Sequence, residues 1–88
     1  MDTLLKKTLR AKAHHLKPVI LLGSKGLTDA VIAETQIALK SHELIKVKIN
    51  GVEKEDKKLF AIQLTQQLNA ELIQIIGNTV VLYKKRED

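Results

Sequence analysis

The sequence predicts an α/β domain, ordered α-β-α-β-α-β-β, with a four-stranded mixed sheet packed with helices. Three observations carry this. Apolar runs of four to six residues alternate with longer segments of helical periodicity, which is the pattern of βαβ units. Glycine, proline and asparagine punctuate the changes of period. The last two apolar runs are separated only by Gly77-Asn78, a two-residue hairpin signal. At 88 residues the chain is read as a single domain, residues 1–88.

The elements follow in order. Residues 3–15 place Leu4, Leu5, Leu9 and Ala13 on a narrow apolar stripe among lysines, predicting an amphipathic helix. Pro18 blocks its continuation and biases Lys17 toward an extended shape. Val19-Ile20-Leu21-Leu22 reads as a short strand buried on both faces. A second helix begins after the glycines. Thr28 is its N-cap, Asp29 suits the positive helix end, and Leu27 with Ile32 forms a hydrophobic staple. It runs to about Ser41.

Residues 44–49 form a strand with Lys46 and Lys48 on the face opposite Val47 and Ile49, closed by Asn50-Gly51. Residues 54–69 repeat Ala61, Leu64, Thr65 and Leu68 at helical spacing. Residues 72–76 and 79–83 are strands, and Gly at the first turn position favours a type II′ hairpin. The βαβ connections make the first three strands parallel and the hairpin makes the last antiparallel.

The formal charge is +5. Its distribution is uneven. Residues 1–26 carry Lys6, Lys7, Arg10, Lys12, Lys17 and Lys25 against Asp2 alone. Residues 27–76 are close to neutral, and Lys84-Lys85-Arg86 form a second small cluster. Concentrated positive charge points to a polyanionic partner.

Other classes find little support. There is no cysteine, hence no disulfide framework and no thiolate zinc site. His14 and His15 are sequence neighbours whose side chains diverge by about 100° on a helix, unsuited to one metal. HExxH and GxSxG are absent, and Glu53, Glu55 and Asp56 alternate with lysines as at a solvated helix start. No enzyme activity, cofactor or metal is expected. No apolar run reaches the roughly 18 residues of a membrane span and no signal-peptide core is visible. The expectation is a cytoplasmic monomer without membrane contact.

The stretch Gly23-Ser24-Lys25-Gly26 joins a strand to a helix. Such a turn offers free backbone N–H groups at the positive end of a helix. Glycine lets a phosphate backbone approach with no Cβ in the way, and Lys25 adds a charge. The GxxG spacing is the one with which KH domains clamp a nucleic-acid backbone. It is not a P-loop, because Leu27 follows Gly26. A turn that needs positive φ is the other reading. Phe60 and Tyr83 are the only aromatic residues, so stacking of several bases is unlikely to be the mode of binding, and phosphates and shape should dominate.

Several stretches together resemble one family. Ala13-His14-His15-Leu16-Lys17-Pro18-Val19, Leu22-Gly23-Ser24-Lys25-Gly26-Leu27-Thr28, His42 to Lys48 and Ile76 to Tyr83 look like the CRM domain, named for chloroplast RNA splicing and ribosome maturation. The lone short domain is similar to bacterial YhbY-like proteins. The resemblance implies a fold like the C-terminal domain of translation initiation factor three with an added N-terminal helix. It implies an RNA-binding role in assembly of the large ribosomal subunit, with Gly23, Ser24, Lys25 and Gly26 as the RNA contact. Arg10, Lys12 and Lys17 are expected to join that loop in one basic face, and His14 to sit beside it or to cap the helix.

Three other readings stand beside this one. They are a protein–protein adaptor in ribosome assembly, a general RNA chaperone or intron-splicing cofactor, and a duplex-DNA binder. No helix carries the Arg/Asn/Gln-rich face that the last would need.

Overall fold

A computed structural model describes residues 2–23 and 26–86. The elements are α1 (Thr3–Ala13), β1 (Pro18–Leu22), α2 (Asp29–His42), β2 (Leu44–Ile49), α3 (Lys54–Leu68), β3 (Glu71–Ile76) and β4 (Thr79–Tyr83). The order is the one expected from the sequence. The strands lie in the order β1-β2-β4-β3. β1 and β2 are parallel, and β4 runs antiparallel to both β2 and β3. The hairpin thus inserts its second strand between β2 and β3.

Strand alternation divides the apolar residues between two faces. Ile20, Leu22, Ile45, Val47, Ile49, Val80 and Leu82 meet Leu39 of α2 and Ala61, Leu64 and Leu68 of α3 in the main core. On the other face Leu9 and Ala13 of α1 pack with Ile73 and Val81, flanked by Leu44 and Tyr83. The sheet therefore lies between α2 and α3 on one side and α1 on the other. Leu9 is the principal anchor of α1, and burying such a side chain contributes about 1.5–3 kcal/mol. Leu4, expected on the apolar stripe, points to solvent.

The register explains a departure from expectation. β1 is an edge strand, and α1 covers only the end of the sheet where Leu44 pairs with Tyr83. Leu21, Lys48, Thr79 and Ile76 form one cross-strand row at the opposite end. Leu21 is consequently 67% exposed and Ile76 55%. β1 is buried on one face only, not on both.

Local chemistry sets the element ends. The Asp2 carboxylate caps α1 by accepting from the Leu4 N–H at 2.9 Å. Thr28 Oγ1 caps α2 by accepting from the Val31 N–H at 3.2 Å, and Leu27 and Ile32 both pack on the main core. Thr35 is fully buried, and its hydroxyl donates to the Val31 carbonyl at 2.7 Å. Asn69 closes α3 in the left-handed conformation, which brings the Ala70 N–H to the Thr65 carbonyl at 3.0 Å. Gly77 has φ +55° and Asn78 is not left-handed, as a type II′ turn requires.

Candidate nucleic-acid interface

The glycine turn is built where β1 leaves the core. Leu22 is fully buried and Gly23, the next residue, is exposed. The Gly26 N–H donates to the Gly23 carbonyl at 3.1 Å, closing the turn. The two glycines differ in what they require. A Cβ built on Gly23 would have no heavy atom within 4 Å, and its φ is not positive. Gly26 is buried with φ +77°, and its Cβ would stand 3.5 Å from the Phe60 ring of α3. Gly26 is thus a conformational requirement, whereas Gly23 leaves open space at the surface. Ser24 and Lys25 lie outside the described residues.

The turn feeds α2. Among the described residues, the Asp29 and Ala30 N–H groups have no hydrogen-bond partner. The Asp29 carboxylate answers the helix dipole itself. An added phosphate at this end would therefore depend on cations for its charge balance.

The same end of the sheet gathers other turns. The Asn50 N–H donates to the Leu22 carbonyl at 2.9 Å and the Ile49 N–H to the Asn78 carbonyl at 2.7 Å. Lys57, one turn before Phe60, hydrogen-bonds the Asn78 side chain. Lys48 is exposed beside Leu21 and Thr79. Lys54, Glu55, Lys57 and Lys58 border a hollow with Ile75 and Gly77. In the sequence this α3 start reads as solvated, because its lysines alternate with Glu53, Glu55 and Asp56. The contact of Phe60 with Gly26 is what draws it to the glycine turn, and periodicity alone carries no signal of that contact.

The other expected site residues lie elsewhere. Lys17 precedes β1 and Gly23 follows it, so a five-residue strand, about 17 Å long, separates them. Lys12 and Lys17 share a groove of about 570 Å³ with Leu5, Leu16, Val19 and His42. Arg10 is exposed on the last turn of α1. His14 is the C-cap of that helix, its N–H donating to the Arg10 carbonyl at 3.2 Å, and its ring stands edge-on to His15 at 5.7 Å. Tyr83 packs half-buried beside Leu9 and Val81. The structure sets Lys12 and Lys17 on one groove, places Arg10 and His14 at the C-terminal end of α1, and holds the glycines beyond the far end of β1.

No helix among the described residues is long and apolar enough to cross a membrane.

Comparison with known proteins agrees with the geometry. The chain matches the CRS1/YhbY (CRM) domain over residues 1–84. It is 43% identical over 88 residues to an RNA-binding protein of Haemophilus influenzae, covering 100% of this chain and 89% of the relative. A Bacillus subtilis protein, also named for RNA binding, is 42% identical over 83 residues, covering 94% of this chain and 86% of the relative. The solution structure of a Staphylococcus aureus protein, described as a candidate RNA-binding protein, superposes with a TM-score of 0.88 at 31% identity, covering 100% of this chain and 92% of that one. The three-layer arrangement, the glycine turn between β1 and α2 and these similarities together place the chain in the CRS1/YhbY family, as a CRM domain.

Proposed function

We propose that the protein is a non-catalytic RNA-binding module that holds the phosphate backbone and assists assembly of the large ribosomal subunit in the cytoplasm, acting as a monomer. The single observation that carries the backbone contact is the open surface at Gly23, where β1 ends and the turn that leads to α2 begins. A phosphate can approach the main chain there without meeting a side chain of that residue. The near absence of aromatic residues supports phosphate contact over base stacking. The names of the Haemophilus and Bacillus relatives support RNA as the partner class. The ribosomal role rests on the resemblance to YhbY-like proteins.

Crosslinking in cells followed by sequencing of the attached RNA tests this. Enrichment of large-subunit ribosomal RNA and its precursors is the expected result. Attached RNA drawn mainly from messenger RNA would refute the ribosomal role, and an absence of attached RNA would refute the RNA-binding reading itself.

A further inference from the structure

We infer that the groove between α2 and the segment following β4 is a second phosphate-backbone site, which grips a different stretch of the RNA from the one at the glycine turn. The inference rests on the RNA-binding reading above. The groove measures about 520 Å³ and is lined, among the described residues, by Gln36, Leu39, Lys40, Lys84, Lys85 and Arg86, with no carboxylate among these; Glu87 and Asp88, next in the sequence, lie outside the described residues.

The segment that supplies three of these cations is fixed to the body of the domain. The Lys84 N–H donates to the Glu43 carbonyl at 2.9 Å, and the Arg86 N–H donates to a Glu43 carboxylate oxygen at 2.8 Å. The Lys84 ammonium donates to the Leu68 carbonyl at 2.7 Å. Glu43 makes these bonds from a strained backbone, with φ +61° and ψ −43°. A non-glycine residue is held in a rare conformation at the point where the cationic segment is attached. The cluster is thereby positioned in advance, which lowers the ordering cost of binding.

Among the described residues, the charged side chains lining the groove are all cationic. Arg86 pairs with Glu43 at 3.9 Å, the one ion pair among the described residues. Asp2 and Glu71 border the other side of the segment, in a hollow they share with Lys84 and Lys85, and pair with neither. Lys40 and Lys85 make no hydrogen bond or ion pair among the described residues. Both line the groove, which a phosphate can enter, and Lys85 also lines the hollow with Asp2 and Glu71.

Position separates this site from the first. β4 runs antiparallel to β2, and Tyr83 pairs with Leu44 at the end of the sheet away from Gly23. The two sites are therefore about 20 Å apart along the six residues of β2. One phosphate cannot serve both, so a ligand engaging both presents two backbone segments.

The test uses the full chain with two probes, a transfer RNA as a folded RNA with several arms and a short single RNA hairpin. Lys40→Ala/Lys85→Ala should weaken transfer RNA binding by about tenfold or more and lower its salt slope by about 2, one per lysine. Hairpin affinity should change by less than about twofold, because a short hairpin held at the glycine turn does not reach the groove. Thermal unfolding of the variant should match the parent, since neither lysine makes a side-chain hydrogen bond or ion pair among the described residues. Unchanged transfer RNA affinity and slope, or an equal loss for both probes, would overturn the inference. Gly23→Val separates the two readings. If that variant keeps its hairpin affinity while the lysine pair behaves as expected, the glycine turn is not an RNA contact and the groove still is.

Discussion

Gly23 and Gly26 stand three residues apart in one turn, yet replacing each with alanine should give different results, a loss of stability at Gly26 and almost none at Gly23. At Gly26 the φ of +77° lies in the left-handed region, where an L side chain crowds the following carbonyl at a cost of about 1–2 kcal/mol. The added Cβ meets the Phe60 ring at 3.5 Å, an ordinary contact, so no clash adds to that cost. For a domain of this size each kcal/mol lowers Tm by about 4–8 °C. Gly26→Ala should therefore lower Tm by about 4–16 °C. Gly26→Val should do worse, because its branch is driven toward the ring. At Gly23 φ is not positive and the Cβ enters open space, so Gly23→Ala should be near neutral, within about 0.5 kcal/mol of the parent. Thermal unfolding followed by circular dichroism measures both. Equal melting temperatures for the two variants, or a larger loss at Gly23, would refute the assignment of the two glycines to different roles.

Other consequences can be checked on the same terms. Thr28→Ala removes the hydroxyl that accepts the Val31 N–H and should destabilise the domain by about 1 kcal/mol in urea unfolding, with Thr28→Asn close to neutral. Leu64→Ala empties a fully buried position between α3 and the sheet and should cost about 2–5 kcal/mol, read from the same unfolding curves. Lys25→Ala should weaken two unrelated RNA sequences by similar factors and lower the salt slope by about 1, whereas loss of only one RNA would mean that Lys25 reads sequence.

The local elements were legible because their signals are local. Thr28 before an apolar repeat, Pro18 after a lysine-rich helix and Gly77-Asn78 between two β-rich runs each act over a few residues. The strand order was not legible, because a hairpin signal fixes that β3 and β4 pair and leaves open which of them meets β2. The exposure of Leu21 follows from that missing information. It depends on β1 being an edge strand and on how far along the sheet α1 lies.

The candidate site divides in the same way. The GxxG spacing was visible, but the distinct demands on Gly23 and Gly26 depend on the backbone, left-handed at Gly26 and not at Gly23, which spacing does not reveal. The basic residues of the first 26 positions read as one cluster, since sequence proximity was the only distance available. Topology then sends Lys17 and the glycines to opposite ends of β1. It also sets Lys40 beside Lys85, whose separation in sequence hides the groove they share. Glu43 carries no sequence signal of its positive φ, because that φ belongs to the one-residue link between α2 and β2, whose shortness shows only in the structure.

The central claim is that RNA backbone approaches the main chain at Gly23. The most direct measurement is a titration of folded RNA, at several salt concentrations, into the parent and Gly23→Val proteins. The account predicts a Gly23→Val protein that melts with the parent, binds at least about tenfold more weakly at physiological salt, and retains a steep salt dependence from its remaining cations. Parental affinity in a variant that melts with the parent would contradict it.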